Sequence, residues 1–319
     1  MKKLYFLFFL IIGFLGNAQI VNIPDATFKT KLLAASPSNT IAKNLLGAYF
    51  KIDSNNDGQI QVSEASQVLS IDLTTYSGAA SSLEGITNFT NLETLNCNNQ
   101  VLTTLDLQGL TSLLTVDCSR NTSLSSLNVT GLTNLISLNC SFNGLSSLDV
   151  SALPNLKILD CSRNNISSLI VTGLVNLEEL NCFLNSLTSL SIGSLSSLKK
   201  LECSGNQLLF LNLSGLSNLI EAYCGHNQIS SLSISGLTSL KKLDCSSNLL
   251  ANFNPTVLNV LEDLNCSYNT NMTSINLNGM ISLINLDCRD AGLNTLDVSN
   301  LSNLVTLDCS GNLMTTLNL

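Results

Sequence analysis

The sequence predicts a mainly β repeat solenoid, with parallel strands on one face of the coil and a small, partly helical cap at its N-terminal end. Three observations carry that expectation. Eleven cysteines, from Cys97 through Cys118, Cys140, Cys161, Cys182, Cys203, Cys224, Cys245, Cys266 and Cys288 to Cys309, recur at steps of 21 residues, twice 22, and none lies elsewhere. Apolar and polar residues alternate around each of them, which is the period of a strand. The residues before Leu92 do not share the period, and a stack of like units needs a different element over its open end.

Taken in chain order, residues 1–18 read as a secretory signal peptide. In "MKKLYFLFFLIIGFLGNAQ", Lys2 and Lys3 precede an apolar run from Leu4 to Leu15, and Gly16 and Ala18 suit cleavage after Ala18. The run is shorter than the roughly 20 apolar residues of a membrane span, and no later segment offers one. The expected location is extracellular or at the cell surface.

Residues 19–68 form the expected cap. "DATFKTKLLAA" predicts a helix with Asp25 as N-cap. "NTIAKNLLGAYFK" is amphipathic and predicts another helical piece, while "LSIDL" reads as a strand. Between them stands "DSNNDGQIQVSE", residues 53–64, which fits D-x-[DN]-x-[DN]-G-x5-E at every constrained position. Asp53, Asn55 and Asp57 offer side-chain oxygens, Gly58 permits a sharp turn, Gln59 offers its backbone carbonyl, Gln61 acts through water and Glu64 closes the shell with two oxygens. The stretch resembles an EF-hand calcium loop. That resemblance implies Ca²⁺ as a structural ion fixing the cap where it turns into the first strand. Residues 69–91 are an irregular lead-in, in which Leu83, Ile86 and Phe89 continue the core up to Leu92 of the first repeat.

The repeats occupy residues 92–319 as eleven units, the last incomplete. In "LETLNCNNQVLTTLDLQGLTS", apolar residues stand at positions 1, 4, 6, 11, 14, 16 and 19. "LISLNCSFN", "LKILDCSRN" and "LEELNCFLN" repeat its first half, so Leu180 and Cys182 point inward while Glu179, Asn181 and Phe183 point out. The ninth-position asparagines, among them Asn143, Asn164, Asn185, Asn206 and Asn227, suit a turn in which their amides bond to backbone. Gln100 and Ala291 replace that residue, Pro255 takes an inward place, and Asn121-Thr122 and Thr270-Asn271 accommodate the two longer units. The second half of each unit is too short for a full helix and predicts an extended or bent segment.

The phrase L-x-x-L-x-C-x-x-N-x-L-x-x-L-D-L-x-x-L resembles the leucine-rich repeat, specifically its bacterial subclass with a nested 21-residue unit. The resemblance implies a right-handed leucine-rich-repeat coil with a parallel sheet on one face, and a role in binding other macromolecules. Stacked in register, neighbouring cysteines lie about 4.8 Å apart and point the same way. A disulfide wants Cβ atoms roughly 3.5–4.5 Å apart with a near-perpendicular twist. The eleven thiols are therefore expected as a reduced, buried ladder of small hydrophobes.

The surface reading narrows the function classes. The chain is 45% hydrophobic and 11% charged, with a formal charge of −8. That balance argues against nucleic acid, whose phosphates need clustered Lys and Arg. There is one histidine, His226, and no nucleophile motif, phosphate loop or histidine cluster, so an enzyme is not expected. The fifth-position column, Asn96 to Asp308, reads as a polar ladder bonded side to side. The third-position column gives an alternating charge stripe, Glu179, Lys200, Glu221, Lys242 and Asp263. Phe142, Phe183, Leu184, Tyr223, His226 and Tyr268 are the candidate ligand surface, with Gly205 and Gly225 leaving space between them.

These features predict a secreted binding or adhesion module for an extracellular protein or glycan. A targeting region of a larger secreted enzyme, or a self-associating surface protein, are the alternatives. The chain stops at Leu319 inside "MTTLNL", which leaves two readings open: a fragment, or a protein that continues into further repeats or a sorting, anchoring or catalytic domain.

Overall fold

The computed structural model describes residues 19–319, and the signal-peptide reading lies outside the described residues. Helix α1, Ala26–Leu33, begins the cap. One Asp25 carboxylate oxygen accepts the Phe28 N–H at 2.7 Å, as an N-cap does. The other accepts from the Ser81 N–H and hydroxyl and from the Ser82 N–H, tying the helix to the lead-in. Burial would raise the Asp25 pKa, but these hydrogen bonds outweigh it and hold the group below its ordinary value. Phe28 and Leu32 are wholly buried. Lys31 is buried too, its ammonium donating to the Leu73 and Tyr76 carbonyls at 2.6 and 2.7 Å. That contact pins the helix onto the chain leaving the first sheet strands.

The helix expected in "NTIAKNLLGAYFK" is absent. Its place is taken by strand β1, Ala42–Asn44, which pairs antiparallel with β2, Val68–Asp72. The reason is local: the Asn44 side chain accepts the Leu46 and Ala48 N–H groups, and Gly47 takes φ +78°, so the chain reverses instead of winding. Ile41 and Ala42 then face the interior, and Leu46 faces water. A single helical turn, α2 (Val62–Ala65), joins the acidic loop to β2. Leu83, Ile86 and Phe89 of the lead-in are buried, as is Leu92 at the start of the first coil.

From Thr94 the chain winds into the expected coil. Each unit gives one three-residue strand in its first arc, from Thr94–Asn96 to Thr306–Asp308, and all eleven join β1 and β2 in one thirteen-stranded sheet. Those eleven strands and β2 run parallel, with equivalent positions paired: Leu180 with Leu201, Leu201 with Ala222. The second arc is less regular. Strands Thr104–Asp106, Ser126–Asn128, Ser147–Asp149, Ser168–Ile170, Phe210–Asn212, Ser231–Ser233, Thr295–Asp297 and Thr316–Asn318 form four separate pairs.

Between the arcs, with Ala222 and Pro255 at two inward positions and Leu317 and Leu319 of the last coil exposed, lies one continuous core built chiefly of inward leucines. Each such side chain contributes about 1.5–3 kcal/mol when fully buried. Cys97 to Cys288 are buried and Cys309 is partly so; all eleven are free thiols. Burial away from water raises the pKa of Cys118 to about 12 and pushes its buried neighbours up as well, so the column carries no charge at neutral pH.

The ninth-position asparagines cross from coil to coil. Asn164 donates to the carbonyls of Cys140 in the preceding unit and Cys161 in its own, both at 3.0 Å, and accepts the Leu145 N–H at 3.1 Å. Asn185, Asn206, Asn227, Asn248 and Asn269 repeat the arrangement. Where Ala291 lacks an amide, Asn312 of the next unit accepts both the Ala291 and Leu293 N–H groups.

Candidate functional site

Three places on this frame gather functional groups. The first is the acidic loop. Asp53, only 5% exposed, accepts the N–H groups of Asp57 and Gly58 at 3.2 Å. Asn55 Oδ1 accepts the same Asp57 N–H at 3.0 Å, which brings the Asp53 and Asn55 oxygens side by side. Asp57 accepts the Gln59 N–H at 2.8 Å and the amides of Asn55 and Gln61 at 2.9 and 2.8 Å. The Gln59 N–H foremost, with those amides and the charge of Lys29, holds the Asp57 carboxyl below its ordinary pKa. Glu64 accepts from the Ser54 N–H and hydroxyl at 2.7 and 2.8 Å, and closes a capping box with Gln61. The Gln59 side chain is bonded to Lys29 at 2.6 Å.

The donors fit a hard cation in kind, since carboxylate, amide and carbonyl oxygens are calcium's ligands. Gly58 takes φ +75° with open space around it, as the tight turn demands. In this arrangement the oxygens are satisfied by the loop's own N–H groups. Among the described residues no three His, Cys, Asp or Glu side chains stand together as a metal cage. Rotation of the Asn55 and Gln61 amides by a half-turn would exchange a donor for a ligand oxygen.

The second place is the strand face of the main sheet. The fifth-position ladder is bonded mainly along its own chain, not side to side as expected. Asp117, Asn139, Asp160, Asn181, Glu202, Asp244, Asn265, Asp287 and Asp308 each accept the N–H two residues on. Tyr223 breaks the series. It is half-buried, its hydroxyl donates to Glu221 at 3.3 Å, and burial with the Glu221 charge raises its pKa. Beneath it the inward leucine is replaced by Ala222. A hollow of about 400 Å³ lies on one side, lined by Asp160, Asn181, Lys200 and Glu202; another of about 420 Å³ lies on the other, lined by Asp244, Asp263, Asn285 and Asp308. Tyr223 is the wall common to both. The third-position charges largely neutralise one another: Lys200 lies 3.7 Å from Glu221 and Lys242 lies 3.9 Å from Asp263.

The third place is the turn rim. Every eighth-position residue, from Asn99 to Gly311, has φ between 48° and 68°. Phe142, Leu184, His226 and Tyr268 sit in that column and are exposed, with Phe183 partly exposed beside them. Phe142 and Phe183 are joined through Arg163, which lies 4.8 and 5.3 Å from their ring centres, and Arg120 covers Phe142 from the other side at 4.9 Å. Tyr268 lies six coils from Phe142, roughly 29 Å along the stack, and meets Arg289. The six candidate residues therefore fall into a strand-face group, Tyr223, and two separate rim groups. The two glycines leave no gaps: Leu184 fills the space beside Gly205, and Ser246 packs against Gly225. Sequence reading missed the arginines, although their separations of 20 to 22 residues from the rings place them on adjacent coils.

A family model described as leucine rich repeats in two copies matches residues 133–174 and 217–259. No curated protein matches the chain. Among solved structures, the functional domain of InlJ from Listeria monocytogenes, which includes a cysteine ladder, superposes with a TM-score of 0.77 at 30% identity, over 92% of this chain and 61% of that one. This chain thus spans less than two thirds of that domain's length. The internalin InlF of the same organism gives 0.59 at 22% identity over 95% and 94% of the two chains. The Leptospira interrogans protein LIC12759 gives 0.52 at 22% over 76% and 77%. The last two speak for the fold alone. The chain therefore carries leucine-rich repeats wound into the coil of that class, and its buried cysteine column is similar to that of an internalin-like bacterial protein.

Proposed function

We propose that this chain is a secreted or surface-held binding module that engages an extracellular protein through the strand face around Tyr223. The observation that carries the reading is the pair of hollows sharing the Tyr223 wall. An aromatic ring set among charged and amide groups, with a depression on each side, is the surface from which binding energy is usually drawn. Coil seven departs from the repeat here, with Ala222, Tyr223, Gly225 and His226 within five residues. Similarity to InlJ supports a binding role over an enzymatic one. Retention of extracellular proteins on immobilised chain tests it, with Tyr223→Ser compared against Phe210→Ser on the opposite arc. A protein kept by the wild type and by Phe210→Ser, but lost from Tyr223→Ser, is expected. Retention unaffected by Tyr223→Ser sinks the strand-face reading.

Calcium completes the proposal. Asp53, Asn55, Asp57 and Glu64, with the Gln59 carbonyl, would hold the ion, and its charge would clip the loop between α1 and β2. At a hundred times its Kd, a ligand of the folded state adds about 2.7 kcal/mol. Calcium should then raise the melting temperature by several degrees over EDTA, and Glu64→Gln should abolish the difference. Equal melting with and without calcium removes the ion from the proposal and leaves the binding face untouched.

A further inference from the structure

On the rim of coils two to five, two guanidinium groups stand on aromatic rings with no acid beside them. Among the described residues, the lysines of the repeats are spoken for: Lys157, Lys199, Lys200, Lys241 and Lys242 each lie within 3.9 Å of a carboxylate. Arg289, one of only three arginines in the chain, is paired to Asp287 at 2.7 Å and to Asp308 at 3.6 Å. Arg120 and Arg163 make no such pair among the described residues, and both are exposed.

Backbone conformation sets where these side chains leave the rim. Arg120, Phe142, Arg163 and Leu184 have φ of 58°, 55°, 54° and 51°, a region that side-chain-bearing residues other than Asn and Asp enter at a cost of roughly 1 kcal/mol each. Gly205 and Gly311 occupy the same column at no such cost. The whole column takes this conformation, so what sets coils two to four apart is their side chains, with two guanidinium groups flanking Phe142.

From this we infer that the rim of coils two to five binds an anionic polysaccharide, whose carboxylate or sulfate groups are taken by the Arg120 and Arg163 guanidinium forks. A guanidinium resting on a ring has lost much of its rotational freedom before any ligand arrives, and its planar set of donors matches a two-oxygen anion. The two groups lie on opposite sides of Phe142, so they are no more than about 10 Å apart. An acidic peptide is the poorer fit. The rim's N–H groups are already used between coils, Arg120 to Ser141, Phe142 to Ser162 and Arg163 to Phe183, which leaves no edge to which a peptide strand could add. A net charge of −8 gives the protein no general attraction for a polyanion, so binding of one would report this local pair.

The experiment is a titration of the full chain with dextran sulfate, polygalacturonate, neutral dextran and poly-L-glutamate, in wild type and in Arg120→Gln, Arg163→Gln, Phe142→Ser and Arg289→Gln. Binding of one or both charged polysaccharides is expected, with the preferred one identifying sulfate or carboxylate as the group read. Neutral dextran should not bind. Arg163→Gln, at the centre of the stack, should weaken binding about tenfold, as a lost charge-assisted pair would. Phe142→Ser should weaken it less, and Arg289→Gln, whose charge is already consumed, should not change it. Absence of binding to either polysaccharide, the same affinity in Arg163→Gln, or tighter binding of poly-L-glutamate would each overturn the inference. Melting curves of the variants separate lost folding from lost contact. A strand-face partner retained through Tyr223 would survive all four substitutions, so the two readings fail separately.

Discussion

Asp160 ends a strand of the first arc and accepts the Ser162 N–H at 2.9 Å; Asp149 ends a strand of the second arc and accepts the Ser151 N–H at the same distance. The two bends share their chemistry, yet the first arc supports a thirteen-stranded sheet and the second only isolated pairs. What differs is what crosses between coils. Behind the first bend lies the cysteine column and then the buried amide of Asn164, bonded to two units at once. Behind the second bend nothing buried performs that task. The extra residues near Thr122 and Thr270 and the proline at Pro255 all fall in the second arc, where pairing stops; around Leu190 pairing also lapses, without such a cause. Register in a solenoid is therefore set by the groups that bridge units, and a turn motif repeated in every unit only shapes the bend.

The largest effect should come from breaking a bridge. Asn164→Ala removes three donated bonds and one accepted bond and strands the Leu145 N–H away from water, while the Cys140 and Cys161 carbonyls keep the Asn143 and Asn185 amides. One buried N–H left unpaired costs roughly 1–3 kcal/mol and the lost bonds to the two carbonyls add to it, so a loss of about 3 kcal/mol is expected in equilibrium urea unfolding. A loss below about 1 kcal/mol would mean that the asparagine column follows the sheet and does not hold it.

A smaller effect should come from the column that the bridge covers. Cys161 is wholly buried between Cys140 and Cys182. Cys161→Ala removes one sulfur and should destabilise by about 1 kcal/mol. Cys161→Ser keeps the size but buries a hydroxyl and should destabilise by about 2 kcal/mol. Serine proving the milder change would show that the column wants hydrogen bonding more than apolar contact.

Much of this frame was legible in the sequence, because it rests on a period: the cysteine spacing placed every first-arc strand, and Asp25 announced its helix. The helix expected from Asn39 to Lys51 failed because amphipathic spacing there competes with an asparagine that closes a turn on its own backbone and with Gly47 at positive φ. Pairing of the charge stripe was hidden for another reason. Lys200 and Glu221, or Lys242 and Asp263, are 21 residues apart and meet only once units are laid side by side. The left-handed column could not be read from residue type, since Arg, Phe, Leu and His stand where glycine or asparagine would signal it. In the loop at 53–64 the residue types were plain, but their bonding to one another, with Lys29 on Gln59, depends on how α1 lies against the loop.

The smallest effect should come from the second bend, and it tests the comparison most directly. Asp149 also accepts from the Ser151 hydroxyl, and these two bonds, the hydroxyl foremost, hold its pKa below the ordinary value. A carboxyl depressed in the folded state adds stability above its unfolded pKa and loses it as pH falls through the folded one. Asp149→Ala should therefore cost stability at neutrality and above, and the difference from wild type should fade on acidification below about pH 4. Because the group is exposed, the loss should stay within about 0.5 kcal/mol. If Asp149→Ala instead rivals Asn164→Ala in urea unfolding, the second arc carries register after all, and the bend itself, repeated in every coil, would have to be counted among the bridges.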